Sequence, residues 1–208
     1  MYSRSALAAR RRKRATLKRR ATAIVVALAT LALLGYLIAG SLEKGYRELA
    51  LPLRHDDIIR QQARDKKLEP ALIAAVIYRE SGFRPRESPA GAQGLMQILP
   101  ATAKYIAGLS GGTEFETGDL ATPQINIAYG SYYLAYLLDQ YDGDEITALA
   151  AYNAGEGRVR HWLQESGKSG GKISDADEIP FPETRKYVKD VLEARDEYER
   201  EYSRELAL

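Results

Sequence analysis

The sequence predicts a mainly α-helical domain preceded by a single apolar span, and three observations predict it. Leu72, Val76 and Glu80 fall at i, i+4 and i+8 between a proline at Pro70 and a glycine at Gly82, the pattern of one bounded helix. Further helix starts are marked at Asp56, Thr122-Pro123, Asp144 and Pro182. Ahead of them all, Ala21 to Gly40 is a run of 20 residues without a charge, directly behind a basic block.

At a rise of about 1.5 Å per residue, residues 21–40 reach about 30 Å, the thickness of a bilayer's hydrocarbon core. Residues 1–20, with Arg10 to Arg14 and Lys18 to Arg20, read as a basic cytoplasmic tail, so everything after Ser41 is expected on the outer face of the membrane. Ala39-Gly40-Ser41 also offers the small residues of a leader cleavage site. The apolar run is longer than a usual leader core, which favours an uncleaved anchor.

Residues 41–53 read as a short charged tether and 54–192 as the folded domain. Asp56 is placed to cap a helix ending at Lys66-Lys67. The next helix, from Pro70, ends just past Glu80, which puts that carboxyl on the apolar face and in the last turn. Desolvation and the negative end of the helix dipole both raise its pKa there. A carboxylic acid still protonated near neutral pH is the general acid needed to protonate a leaving oxygen. Spacing alone fits a solvated or salt-bridged glutamate as well.

Ser88 to Gly94 carries one proline and two glycines and reads as a tight loop. Leu95 to Leu99 sets Gln97 alone in an apolar run, either bonded internally or facing a ligand. Pro100 to Ala107 reads as a short helix, with a glycine-rich loop to Gly118. The helix from Pro123 includes Gly130, which close packing would explain, and Tyr129, Tyr132, Tyr133, Tyr136 and Tyr141, read as packing residues. Asp144 caps Glu145 to Ala154, with Tyr152 and Asn153 in the last turn and Gly155 beyond. Trp162 is assigned to packing and Gly167 to Asp177 to a mobile flap. Pro182 starts a final helix with Glu183 in its first turn, where the dipole favours an ionised carboxylate. Residues 193–208 read as a charged, solvated helical tail.

Composition excludes some classes. The chain has 208 residues, enough for one domain with short extensions. Nine of its 30 basic residues lie in residues 1–40, leaving 21 against 28 acidic ones elsewhere. An acidic folded part argues against nucleic acid as a partner. No cysteine is present, so disulfides, thiolate metal sites and a lipidated cysteine are excluded. His55 and His161 are too far apart in sequence for metal-ligand spacing.

Four motifs in register carry a family resemblance: Glu80-Ser81 with Gly82-Phe83 and Pro85; Ser88-Pro89-Ala90-Gly91-Ala92 with Gly94 to Ile98; Ala151-Tyr152-Asn153-Ala154-Gly155; and Glu183-Thr184 with Tyr187. From roughly Leu53 to Val191 the chain resembles the lysozyme-like lytic transglycosylases of the soluble lytic transglycosylase type. The resemblance implies a lysozyme-like fold and cleavage of peptidoglycan glycan strands between N-acetylmuramic acid and N-acetylglucosamine. Glu80 would act as general acid and then base, Ser88, Gln97, Tyr152, Asn153, Glu183 and Tyr187 would line the substrate, and no cofactor or metal would be needed. The segment from Glu80 to Ser88 is one residue shorter than the family pattern, with Arg84 where Asn or Asp is usual. Other readings are a hydrolytic muramidase on the same fold and a non-catalytic wall-binding protein.

Overall fold

The computed structural model describes residues 22, 25–26, 28–39, 42, 45–110, 115–167 and 171–208. The chain divides into two compact units, Met1–Ala50 and Leu51–Leu208. In the first, residues 28–39 (α1) and 45–50 are helical, and Val25, Leu31, Leu34 and Ile38 are exposed. No helix among the described residues is long and apolar enough to cross a membrane. The expected tail 1–20 and several positions of the expected span 21–40 lie outside the described residues.

The second unit is helical apart from one small hairpin. Its helices are α2 (Asp56–Lys66), α3 (Pro70–Ser81), α4 (Pro100–Ser110), α5 (Pro123–Gln140), α6 (Glu145–Ala154), α7 (Glu156–Glu165) and α8 (Pro182–Tyr202). Strands β1 (Arg86–Glu87) and β2 (Gln93–Gly94) pair antiparallel, Arg86 opposite Gly94. At the centre is α3. Ala71 to Ile77 are all buried, so this helix is apolar on every side rather than on one face, as a helix enclosed by others must be. Pro70 opens it, and Gly82, at φ 60, closes it by donating its N–H to the Tyr78 carbonyl at 2.9 Å.

The most extensive packing of α3 is on α8. Here the expected solvated tail is corrected. Ala194, Tyr198, Tyr202 and Leu206 are buried, and α8 runs on past Leu192 without a break. The Tyr198 hydroxyl donates to the Pro52 carbonyl at 2.6 Å and that of Tyr202 to the Leu51 carbonyl at 2.7 Å. Leu51 is itself buried, so the folded unit begins there, inside the expected tether. Tyr198→Phe should cost about 1 kcal/mol and lower Tm by about 2–4 °C, read by a thermal melt, with no change in helix content.

Two smaller corrections concern helix ends and the flap. His55, at φ 58, takes the cap position of α2, while Asp56 is its first helical residue and pairs with Arg60. Residues 168–170 of the expected flap lie outside the described residues, but Ile173 is buried and donates its N–H to Thr147 Oγ1 at 2.8 Å. That end is anchored. The Asp144 cap forms as expected, accepting from the Thr147 N–H at 2.8 Å. Trp162 packs as expected, stacked on Phe181 with ring centres 5.1 Å apart.

The tyrosines of α5 are less uniform than expected. Tyr141 is buried, whereas Tyr129 stacks on Phe115 at 4.7 Å and Tyr133 and Tyr136 are half-buried. Tyr133 rests on Tyr152, and the Tyr136 hydroxyl lies 3.1 Å from that of the exposed Tyr105. They form a boundary layer beside α6.

Candidate active site

The last turn of α3 delivers Glu80 to the junction of α3, α8 and the hairpin. Its apolar setting raises its pKa from 4.5 to about 7, burial being the largest cause. Three groups oppose that shift: the hydrogen bond from Tyr187 and the charges of Arg86 and Arg79. Burial wins, and the carboxyl stays largely protonated up to neutral pH. The Tyr187 hydroxyl, from the first turns of α8, donates to Glu80 Oε1 at 2.8 Å, which leaves Oε2 to carry the acid proton.

Tyr187 is buried, and burial followed by the charge of Glu80 lifts its phenol well above the ordinary range. It remains a donor. Since its bond to Glu80 lowers the carboxyl's pKa, Tyr187→Phe should raise that pKa further above 7. Carboxyl-selective carbon NMR titration of Glu80 reads this directly, and a downward shift would contradict it.

Two arginines that sequence reasoning missed complete the surroundings. Arg86, on β1, donates to the Glu80 main-chain carbonyl at 2.8 Å, satisfying one of the orphan carbonyls at the end of α3. Arg79 pairs with Asp190 of α8. Neither position carries a spacing signal in the sequence. Among the described residues, no group of three or more histidine, aspartate or glutamate side chains is placed to hold a metal ion.

The remaining expected site residues divide by what occupies their polar atoms. Tyr152, in the last turn of α6, donates its hydroxyl to the Met96 carbonyl at 2.9 Å, and burial followed by the charge of Glu80 raises its pKa well above the ordinary range. Asn153 is exposed, and its Oδ1 accepts from the Thr184 hydroxyl at 2.9 Å, so its amide N–H groups remain for a ligand. Gln97 uses its amide N–H groups on the Gly94 carbonyl at 2.8 Å and the Arg86 carbonyl at 2.9 Å. Its oxygen is the group left over. Ser88 closes its own loop, its Oγ accepting from the Ala92 N–H at 3.0 Å.

Glu183 is not brought into this cluster. It is exposed in the first turn of α8, beside the buried Thr184, with no hydrogen bond or ion pair among the described residues. Glu80, Tyr187 and Tyr152 are therefore the assembled centre, with Gln97 and Ser88 on the hairpin side and Asn153 and Glu183 where α6 meets α8.

One buried side chain on α5 braces the hairpin side. Asn126 Oδ1 accepts from the Met96 N–H at 2.8 Å, while Nδ2 donates to the Gln93 carbonyl at 2.8 Å and the Leu120 carbonyl at 3.0 Å. Met96 lies over Gly130, where a Cβ would stand 2.3 Å from its sulfur. The close packing expected at Gly130 is thus helix α5 against this loop.

Comparison with known proteins bears on the whole arrangement. The soluble lytic murein transglycosylase of Salmonella typhimurium is 40% identical over 167 residues, covering 79% of this chain and 26% of that protein. The crystal structure of the 70 kDa soluble lytic transglycosylase of Escherichia coli matches with a TM-score of 0.67 at 38% identity, over 78% of this chain and 26% of that one. An inactive mutant of the lytic transglycosylase Slt of Pseudomonas aeruginosa matches with a TM-score of 0.67 at 34% identity, over 74% of this chain and 25% of that one. The chain thus spans about a quarter of the length of these relatives. Residues 57–174, more than half of the chain, match the family described as the Transglycosylase SLT domain, and with the mainly helical, lysozyme-like fold and the Glu80 centre they establish that the chain belongs to that family.

Proposed function

We propose that the chain is a peptidoglycan lytic transglycosylase that cuts the β-1,4 bond from N-acetylmuramic acid to N-acetylglucosamine without consuming water. The single observation that carries this reading is a carboxyl with its pKa raised to about 7, held by Tyr187 at the end of a buried helix. Glu80 Oε2 gives its proton to the glycosidic oxygen as the anomeric C–O bond breaks. The resulting carboxylate then takes the proton of the muramic acid 6-hydroxyl, whose oxygen bonds to the anomeric carbon. Protons and bonds balance, and the product is a 1,6-anhydro end.

A hydrolase on this fold needs a second carboxylate, about 5 Å away to form a covalent intermediate or somewhat farther to activate water. The Glu80 carboxyl is held by the Tyr187 phenol, and its charged neighbours are Arg86 and Arg79, which supports the intramolecular route. Gln97 Oε1, the Ser88 hydroxyl proton, the Asn153 amide, Glu183 and the Tyr152 ring are the proposed substrate contacts.

The proposal extends to location. Residues 21–40 anchor the chain with the basic residues 1–20 inside the cell and the domain in the wall space. Supporting this, the described side chains from Val25 to Ile38 include a series of exposed apolar groups.

The test is mass spectrometry of purified glycan strands digested by the full chain, beside Glu80→Gln. Anhydro-muramic ends that vanish in the variant are expected. Reducing ends would make the protein a muramidase, and intact strands from folded protein would make it a binding protein.

A further inference from the structure

We propose that Asn126, which lies between Ile98 and Ala151 and outside all four family motifs, is a positioning residue for the glycan site. The inference rests on the transglycosylase reading and adds to it how the hairpin wall is aimed. Asn126 is fully buried at the start of α5 and uses three of its polar valences on backbone groups, two on the hairpin side at Gln93 and Met96 and one at Leu120 in the turn before α5. The fit is chemical as well as spatial. Met96 offers a donor and Gln93 and Leu120 offer acceptors, so the side chain must present one oxygen and two N–H bonds in one plane. Aspartate has no N–H to give, and glutamine, one methylene longer, would have to fit the same fully buried place.

The Met96 peptide is gripped at both ends, since its N–H goes to Asn126 of α5 and its C=O accepts from Tyr152 of α6. The next residue is Gln97, held at φ 50, a left-handed conformation that a residue with a Cβ keeps only when its surroundings impose it. Gln97 in turn bonds the Arg86 carbonyl, and the Arg86 guanidinium bonds the Glu80 carbonyl. Asn126, Met96, Gln97, Arg86 and Glu80 form one unbroken series of contacts. The free oxygen of Gln97 and the Tyr152 hydroxyl thus take their places relative to Glu80 from an amide that touches neither substrate nor acid.

The experiment measures binding of purified glycan strands to the full chain carrying Glu80→Gln, with Asn126→Asp added, beside a second variant with Leu137→Ala. Leu137 is buried on the same helix three turns away and lowers stability without touching the hairpin. Asn126→Asp should weaken Kd about tenfold, the loss expected when buried partners are left unpaired, while Leu137→Ala leaves Kd within about twofold. In the active background it should raise KM more than it lowers kcat and leave the alkaline limb of the pH profile near that of wild type. An unchanged Kd, or equal weakening by Leu137→Ala, overturns the proposal. If Asn126→Asp does not fold, the uncharged Asn126→Ser is read in the same way. If unmodified chain binds no strands, the transglycosylase reading fails by itself. Hydrogen exchange then decides the positioning role: Met96 and Gln97 amides as slow in the variant as in wild type overturn it, and faster exchange confined to residues 93–98 upholds it.

Discussion

Glu80→Gln should retain less than about one-thousandth of wild-type glycan cleavage and yet be the more stable protein at pH 8. The first half follows from removing the proton donor of a reaction in which general acid catalysis supplies about 10²–10⁴-fold and the same group must then act as base. The second half follows from linkage. Folding raises the Glu80 pKa from 4.5 to about 7, so the native state holds a proton that the unfolded chain releases. The stabilisation is fully present below about pH 4.5 and is lost as pH rises through about 7. At pH 8 the buried charge costs up to about 3 kcal/mol, which glutamine, of nearly the same shape, does not carry. Thermal melts should therefore coincide near pH 4 and diverge in favour of the variant at pH 8. A variant that is inactive but equally stable at both pH values would mean that the carboxylate is not desolvated.

Gly94→Ala should be the most damaging single-methyl change in the folded unit. Gly94 sits at φ +81, and a Cβ there would lie 2.1 Å from Asn126 Nδ2 and 2.6 Å from the Leu120 carbonyl oxygen. Neither can yield cheaply, because the first is fixed by three hydrogen bonds and the second is backbone. Backbone strain and displacement of the hairpin together should cost about 3 kcal/mol or more, lowering Tm by about 6–12 °C. Gly143→Ala separates the two contributions. At φ +78 with nothing within 4 Å of the added Cβ, it carries the conformational cost alone, about 1 kcal/mol. Equal melting shifts for the two variants would show that the contact with Asn126 contributes nothing.

The parts legible in the sequence were those fixed by local chemistry. Pro70 and Gly82 bound α3 where the residues put them, and Asp144 caps α6 as its position promised. The raised pKa of Glu80 followed from a glutamate at the end of an apolar pattern. What was not legible depended on distant partners. The stripe Tyr187, Val188, Val191, Ala194, Tyr198 and Tyr202 runs at helical spacing, but charged residues between its members and tyrosines counted as polar disguised it as a solvated surface. Strands of two residues are too short to show alternation, so the hairpin read as a loop. Asn126 looks like any asparagine near a helix start. Only the fold brings it to Met96.

The 21-residue helix α8 also has a mechanical meaning. Near its beginning Tyr187 holds the Glu80 carboxyl, and near its end Tyr198 and Tyr202 clasp the main chain at Pro52 and Leu51. These grips are about 20 Å apart along a rod of continuous hydrogen bonds. Tension applied through the amino-terminal segment is taken up first at the Leu51 clasp, where the Tyr198 ring also packs 6.2 Å from Phe83, just past the end of α3. In an optical trap, pulling from the amino terminus should peel residues 51–53 away as a small early extension before the remaining fold gives way. The clasp is then a sacrificial latch whose release also frees the tyrosine that braces Phe83 at the end of α3.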